Sequence, residues 1–263
     1  MPNKWDALYS FIIALIMVFM LAPVLMIIPA SFAGSNMFSF PPAGFTLQHY
    51  AALINDGMLL ASVGTTLYIG VASTVLATAV GVLAALGIVK GNLPCRDFME
   101  SFFLGPLIVP LVTTGIGLLI FFVPLGLLGT SPAIILAHSI VISPYVVRIA
   151  CASLRHSDPV LEEAAIVHGA GAWDVFRTVI FPQMRPSLIS GALLAFLVSI
   201  DEYTVTVFLV QVDLVTMPIR IFQYIMLDIN PVVTALASVT IIVTGIFVVL
   251  LERRYNIHRY LAL

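Results

Sequence analysis

Charged residues are scarce in this chain: Asp, Glu, Lys and Arg make up 9% of its 263 residues. Soluble domains carry about a quarter, so a water-soluble globular protein is excluded, as is a disordered chain, which needs high charge. The net charge of −2 leaves no basic excess for binding nucleic acid. Two cysteines, Cys95 and Cys151, are too few for a disulfide scaffold and form no Cys–His cluster typical of a metal site.

Motifs of nucleotide-binding and catalytic sites are also absent. Lys4 and Lys90 are the only lysines, and neither belongs to a phosphate-binding loop, so ATP cannot be bound by such a loop in this chain. The sequence has no nucleophile elbow, zinc-protease helix or dinucleotide fingerprint. An enzyme is therefore a poor interpretation, and no cofactor is expected to bind this chain.

Hydrophobic residues are abundant instead, at 61% of the sequence, with a mean hydropathy of +1.13. They form six long runs, each able to cross a hydrocarbon core of about 30 Å as a helix. The predicted spans cover residues 7–29, 62–89, 101–124, 131–152, 187–210 and 231–251. Because barrel strands would alternate in polarity, continuous runs favour helices. The sequence predicts an all-α, polytopic membrane protein in which residues 1–263 form a single domain.

Basic residues predict the orientation of the spans. With six spans, every Lys and Arg except Arg220 falls on one side of the membrane. The positive-inside rule makes that side cytoplasmic, so both termini and both cysteines are expected there. The largest external loop is residues 31–61, in which residues 46–53 are predicted to form a short amphipathic helix at the interface.

The longest internal loop, residues 153–186, lies between the fourth and fifth spans. Asp158 followed by Pro159 is typical of a helix start, because the carboxylate accepts free N–H groups and proline suits the first helical position. Glu162 and Glu163 then lie near the positive end of that helix dipole. The sequence therefore predicts a short helix in this loop.

Two glycines, Gly169 and Gly171, are expected to end this helix and to supply the backbone freedom for a sharp turn. A second short helix is predicted over residues 172–180, stopped by Pro182 and Pro186 before the fifth span. The prediction is thus two short helices, set at an angle, just below the membrane.

The residues of this loop resemble those of the integral-membrane permease subunits of binding-protein-dependent ABC importers. The hallmark of that family is Glu-Ala-Ala, three residues, Gly, nine residues, an aliphatic residue, one residue, Leu and Pro. This chain has Glu163-Ala164-Ala165, Gly169, Val179 and Phe181-Pro182, with Phe in place of Leu. The plain alternative, a solvated amphipathic loop, does not require this spacing.

The resemblance implies that residues 153–186, here named the coupling segment, dock into a groove on a cytoplasmic ATPase dimer. ATP and Mg²⁺ are then expected on that partner rather than on this chain. Small alanines allow close approach, and the apolar side chains of Val167, Trp173 and Phe176 could anchor in a cleft. The residues implied in coupling are Glu162, Glu163, Ala164, Ala165, Gly169, Trp173, Phe176 and Pro182.

A second resemblance covers nearly the whole chain. Residues 199–206 read Ser-Ile-Asp-Glu-Tyr-Thr-Val-Thr, and residues 217–220 read Met-Pro-Ile-Arg. Both stretches resemble the sequence of the second permease subunit of spermidine/putrescine-type importers. It implies a small amine-bearing solute, a periplasmic or extracellular solute-binding protein, and a second permease subunit that is a different chain. It also implies the lipid of a bacterial inner membrane as the surroundings.

Two acidic residues, Asp201 and Glu202, are predicted about 22 Å from the cytoplasmic end of the fifth span. Carboxylates at such depth are costly unless they face water or a partner. Because adjacent helix positions point in different directions, Asp201 is expected to face the solute path and Glu202 a neighbouring helix or subunit.

Tyr203 and Tyr224 are further candidates, since their rings could stack against a cation. His138 is predicted to make an interhelical hydrogen bond.

Two alternatives stay open on the sequence. Both carboxylates could lie at the external membrane edge, unpaired or paired with Arg220. The chain could also be a stand-alone secondary transporter or channel that uses Asp201 and Glu202 as an ion relay. Uptake by this chain alone would favour that class, whereas co-purification of a soluble ATPase would favour the importer.

Overall fold

The structure, a computed structural model, describes residues 4–34, 44–211, 214–227 and 231–255. Within these ranges every regular element is a helix, which confirms the all-α fold. Arg259 and residues 35–43 of the predicted external loop lie outside the described residues.

The described helices follow the chain in a simple order. They are α1 (Lys4–Ala30), α2 (Gln48–Asn55), α3 (Gly57–Lys90), α4 (Arg96–Ile108), α5 (Leu111–Phe122), α6 (Ser131–Arg155), α7 (Pro159–Val167), α8 (Ala172–Val175), α9 (Phe181–Ile200), α10 (Thr206–Leu209), α11 (Met217–Leu227) and α12 (Pro231–Tyr255). A π-helical turn, Phe176–Ile180, joins α8 to α9.

Over the described residues, five helices are long and apolar enough to cross a membrane, and a sixth span results if α4 and α5 are counted together. These two helices meet at 102°, so the prediction of one continuous helix over residues 101–124 is wrong. Pro110 accounts for the break, because the residue before a proline is driven into an extended conformation. Val109 has that conformation, with φ −74° and ψ 130°.

The fifth span differs from its prediction at both ends. It runs without interruption from Ala172 to Ile200, so the predicted second short helix is part of the span, and the helix ends before residue 210. Neither Pro182 nor Pro186 stops the helix. A π-helical turn precedes Pro182, and in it the Phe181 N–H donates to the Phe176 carbonyl, five residues earlier. This shift in the hydrogen-bond pattern accommodates Pro182, which has no N–H of its own.

The chain divides into two compact units. The first contains the described residues up to Leu60 and from Ile221 to Val249. The predicted external helix is present there as α2, where His49 Nε2 lies 2.8 Å from the Ala33 carbonyl oxygen. Its helical character is confirmed, and its location at a membrane interface stays a prediction.

The second unit contains Ala61–Arg220 and the described residues from Leu250 onward. Its central element is α6, whose buried residues pack against α3 and α9. A Cβ atom added at Gly81 of α3 would lie 2.7 Å from Val146 Cγ1 of α6. The two helices therefore approach closely through a residue that has no side chain, as is common between membrane helices.

Candidate functional site

The coupling segment begins with the predicted helix start. The Asp158 carboxylate accepts the Val160 N–H at 2.9 Å, and Pro159 is the first residue of α7. This N-cap confirms the prediction for these residues. The Asp158 N–H donates to Gln183 Oε1 at 3.2 Å, which ties the start of α7 to α9.

Helix α7 ends in a Schellman turn, in which Gly169 is the left-handed residue. The φ of this residue, +85°, lies in the left-handed region that glycine adopts readily. The Gly169 N–H donates to the Ile166 carbonyl at 2.9 Å, and the Ala170 N–H donates to the Ala165 carbonyl at 3.0 Å. These are the two bonds of that motif, which explains the spacing of the family pattern. Ala165 is the third-last residue of a helix, and Gly169 is its left-handed cap.

One side of the coupling segment is apolar and exposed. Val160, Glu163 and Val167 follow one another at intervals of three and four residues, so they share one side of α7. The exposed fraction is 64% for Val160, 83% for Val167 and 69% for Trp173 on α8, and Glu163 is exposed as well. We name these four residues the docking face. Exposed apolar patches of this kind mark interaction surfaces.

The other side of the segment is packed. Phe176 is half-buried, with its ring centroid 5.5 Å from that of Trp173. An apolar cluster joins the segment to the ends of three helices, so the residues that carry the docking face are held in place by packing. The cluster includes Ala165, Val175 and Ile180 of the segment, Ile88 of α3, Leu154 of α6 and Met184 of α9.

Two ion pairs that no sequence pattern indicated lie beside this cluster. Lys90 Nζ, at the end of α3, is 2.7 Å from Glu162 Oε1, and we name this pair the latch. Arg155 at the end of α6 pairs with Glu100 of α4. The partners are 72 and 55 residues apart in the chain, so local spacing carries no signal for either pair. Glu162 therefore contacts α3, whereas its neighbour Glu163 belongs to the docking face.

A cavity of about 530 Å³ lies between the α4–α5 break, α6 and the end of α9. That volume is in the range of small-molecule sites. Three of the predicted path residues, Asp201, Glu202 and Tyr203, line it. Tyr145 of α6 lines it too. Sequence reasoning missed this tyrosine, and the only signal for it was a polar hydroxyl within an apolar span.

Asp201 and Glu202 lie after the fifth helix, not within it as predicted. Asp201 is the exposed C-cap residue of α9. Glu202 is 6% exposed, and its carboxylate accepts the Val205 N–H at 2.8 Å and the Thr206 N–H at 3.0 Å. A side chain that binds nearby backbone groups competes with the helix, and the apolar pattern could not indicate this. These bonds rule out an unpaired Glu202 at the membrane edge.

The other sequence candidates lie elsewhere. His138 Nδ1 is 2.8 Å from Ser199 Oγ of α9, which confirms the interhelical hydrogen bond. Tyr224 belongs to the first unit, where its hydroxyl donates to Asp56 Oδ2. Within the described part of the chain, no three His, Cys, Asp or Glu side chains are placed to hold a metal ion.

Several proteins of known name are similar to this chain. It is 32% identical to the putrescine transport system permease protein PotI of Escherichia coli K12, over 87% of this chain and 83% of that protein. It is 26% identical to the spermidine/putrescine transport system permease protein PotC of the same strain, over 86% of each. It is 28% identical to the putative 2-aminoethylphosphonate transport system permease protein PhnV of Salmonella paratyphi A, over 80% of this chain and 79% of that protein.

Solved structures share the fold. A chain of a bacterial ABC transporter that imports the acidic polysaccharide alginate aligns with a TM-score of 0.71 and 16% identity, over 96% of both chains. A chain of the MetNI methionine ABC transporter in inward-facing conformations aligns with a TM-score of 0.62 and 17% identity, over 77% of this chain and 95% of that one. At these identities the likeness concerns the fold alone.

The family profile described as "Binding-protein-dependent transport system inner membrane component" matches residues 77–257. That stretch is more than half of the chain and includes the whole coupling segment, the latch and the cavity. Together with the similarity to PotI over most of both chains, this match shows that the chain belongs to the family of inner-membrane components of binding-protein-dependent transport systems.

Proposed function

We propose that this ABC importer permease carries a small amine-bearing solute, with energy from a separate ATPase that binds the docking face. The observation that carries the proposal is the arrangement of the coupling segment. The apolar side chains of the docking face are exposed, while Ala165, Val175 and Ile180 of the same segment pack with residues at the ends of α3, α6 and α9. A partner seated on the docking face would therefore push on three helices at once.

The coupling is mechanical. Two ATPase subunits that close on ATP, with its Mg²⁺, would displace the docking face and with it the helices beneath. The solute path would switch from inward-open to outward-open and return after hydrolysis, as a two-state transition biased from a distant site. This chain would form half of the path, and a second permease subunit of different sequence the other half.

The cavity supports an amine as the solute. Asp201 places an exposed carboxylate there, and Tyr145 and Tyr203 add aromatic rings, whose faces attract cations. The names of PotI, PotC and PhnV refer to putrescine, spermidine and 2-aminoethylphosphonate, all of which contain an amino group. A periplasmic or extracellular binding protein would deliver the solute to the outer face of a bacterial inner membrane, with both termini of this chain on the cytoplasmic side.

Glu163→Lys tests the docking face, because it reverses the charge at the centre of the apolar stripe on α7. We expect the ATPase to stop co-purifying with the chain, and ATP hydrolysis stimulated by the loaded binding protein to be lost, while membrane insertion persists. Asp97→Lys makes the same reversal at an exposed residue of α4 and serves as the control. Full uptake with a normally bound ATPase in Glu163→Lys would contradict the proposed docking.

Asp201→Asn tests the solute class. We expect the amount of radiolabelled putrescine transported per ATP hydrolysed to fall about fivefold, since exposed ion pairs contribute about 1 kcal/mol or less. Stimulated ATP hydrolysis should remain, because the coupling segment is intact. Asp97→Asn is the matched control, and Asp201→Glu should retain most of the transport. An unchanged ratio in Asp201→Asn would refute a role for this carboxylate in recognising an amine.

A stand-alone secondary transporter with an Asp201–Glu202 relay is less well supported. The Glu202 carboxylate is occupied by hydrogen bonds from its own turn, which leaves Asp201 as the exposed acid of the pair. Uptake by the purified chain alone in vesicles with an ion gradient would favour that alternative.

A further inference from the structure

A buried polar network closes the turn that follows α9. Its members are Ser199 at the end of α9, Glu202 in the turn, Thr206 at the start of α10 and His138 of α6, and each is at most 6% exposed. Thr206 Oγ1 is 2.7 Å from Glu202 Oε2 and also 2.7 Å from His138 Nε2. Four polar side chains buried together among apolar residues are costly unless every one of them is hydrogen-bonded.

With Glu202 as a carboxylate and His138 neutral, the distances assign one direction to each hydrogen bond. A threonine hydroxyl has one proton, and that of Thr206 donates to Glu202 Oε2 at 2.7 Å, which is closer than the Glu202 carbonyl oxygen at 3.2 Å. His138 Nε2 must then donate to Thr206 Oγ1. In neutral histidine the other ring nitrogen is an acceptor, so the Ser199 hydroxyl donates to His138 Nδ1. The bonds run in one direction, from Ser199 through His138 and Thr206 to Glu202.

This chain of bonds clamps both ends of the turn. Ser199 and Thr206 bracket it, and the Glu202 carboxylate also binds the N–H groups of Val205 and Thr206. Between these fixed points, Asp201 is exposed and Tyr203 is half-buried, and both line the cavity. The network therefore sets where these two side chains stand, although Ser199, His138 and Thr206 are not among the residues that line the cavity.

We propose that Glu202 is a positioning residue: its carboxylate, oriented through His138 and Thr206, holds the turn so that Asp201 and Tyr203 present their charge and ring to the solute. This inference rests on the proposed function, because it assumes that the cavity receives an amine. It assigns to the two adjacent acids different tasks, contact with the solute for Asp201 and support of the turn for Glu202.

The hydroxyl of Thr206 gives the sharpest test. Thr206→Val keeps the shape and removes the hydroxyl, while Thr206→Ser keeps the hydroxyl. In proteoliposomes of the whole transporter with its binding protein, we expect Thr206→Val to lower putrescine transported per ATP hydrolysed about tenfold, since a buried acceptor loses its donor. Thr206→Ser should restore the parental ratio. Damage to the bundle as a whole would instead lower ATP hydrolysis and transport together.

A second pair tests the direction of the bonds without altering the turn itself. His138→Gln can place an amide N–H where Nε2 donates to Thr206, whereas His138→Asn can replace only the Nδ1 side. We expect Gln to retain more of the transport ratio than Asn. This pair decides the matter if Thr206→Val does not reach the membrane.

The outcomes separate this inference from the proposed function. A low ratio in Asp201→Asn and in Thr206→Val, rescued in Thr206→Ser, supports both. A low ratio in Asp201→Asn with a parental ratio in Thr206→Val overturns the positioning role and leaves the proposed function standing. Equal loss in Thr206→Ser and Thr206→Val, or equal loss in the two His138 variants, also overturns the positioning role. A parental ratio in Asp201→Asn overturns solute recognition by this cavity.

Discussion

The coupling segment and the cavity at the end of α9 expose their candidate side chains by different means. The docking face is formed by residues that are close together in the chain, and on α7 it lies opposite Glu162 and Ala165, which contact the neighbouring helices. The cavity draws Tyr145 from α6 and Asp201 from the end of α9, and the exposed acid is adjacent to a buried one. A surface that binds a partner protein needs area, whereas a site for a small cation needs a few side chains fixed in direction.

The two regions should therefore fail in different ways when they are changed. A change in the coupling segment should abolish stimulated ATP hydrolysis and transport together. A change at the cavity should leave ATP hydrolysis and reduce the solute moved for each ATP. A cavity variant that abolished stimulated ATP hydrolysis would break this distinction.

Gly169→Pro should have the largest effect. Proline fixes φ near −65°, against the +85° of this residue, and it removes the N–H that donates to the Ile166 carbonyl. We expect uptake and stimulated ATP hydrolysis to be lost, with insertion in the membrane unaffected, as measured by vesicle uptake and a membrane-fraction immunoblot.

Gly169→Asn is the control for this change, because asparagine tolerates the left-handed conformation and keeps the N–H. It should retain most of the uptake. Full uptake in Gly169→Pro would mean that the Schellman turn has no part in coupling.

Tyr145→Leu should have an intermediate effect, limited to the cavity. Loss of the aromatic face should reduce the solute transported per ATP about threefold, since cation–π contacts contribute about 0.5–1 kcal/mol at exposed sites. Stimulated ATP hydrolysis should persist. Tyr145→Phe keeps the ring and should behave like the parent. If Phe were as damaging as Leu, the hydroxyl rather than the ring would be the group that matters.

The latch should show the smallest effect. Lys90→Glu places two acids together and should lower the transport rate about twofold, because exposed pairs contribute about 0.2–1 kcal/mol. Glu162→Lys should cost more, since it also puts a cation in the first turn of α7. The double exchange of both residues should recover part of the loss in the same uptake assay. No recovery would show that the ion pair does not hold the segment.

The sequence predicted the start and the end of α7 well because their signals are local. Asp158 and Pro159 start α7, and Gly169 ends it, through hydrogen bonds to residues a few positions away. The prediction that the helix stops at Pro182 was wrong, because a π-helical turn accommodates the proline. Hydrophobic periodicity gives no signal for such a turn.

The cavity could be predicted only in part. Asp201 and Tyr203 were found because acids and aromatic residues stand out in an apolar chain. The break at Pro110, the contribution of Tyr145 and the bonds of Glu202 depend on contacts between distant segments, which no pattern in one stretch contains. The placement of Asp201 and Glu202 inside a helix was wrong for the same reason, since a carboxylate that binds backbone N–H groups follows the end of the helix at Ile200.

The uninterrupted helix from Ala172 to Ile200 has a mechanical consequence. Its 29 residues form a single rod, about 43 Å long at 1.5 Å per residue. Trp173 of the docking face is at one end, and the acid that faces the cavity follows directly after the other. At that length a tilt of about 10° about the Trp173 end would swing the opposite tip by about 7 Å. A helix of this length would let a small tilt at the docking face move the Asp201 carboxylate by several ångströms.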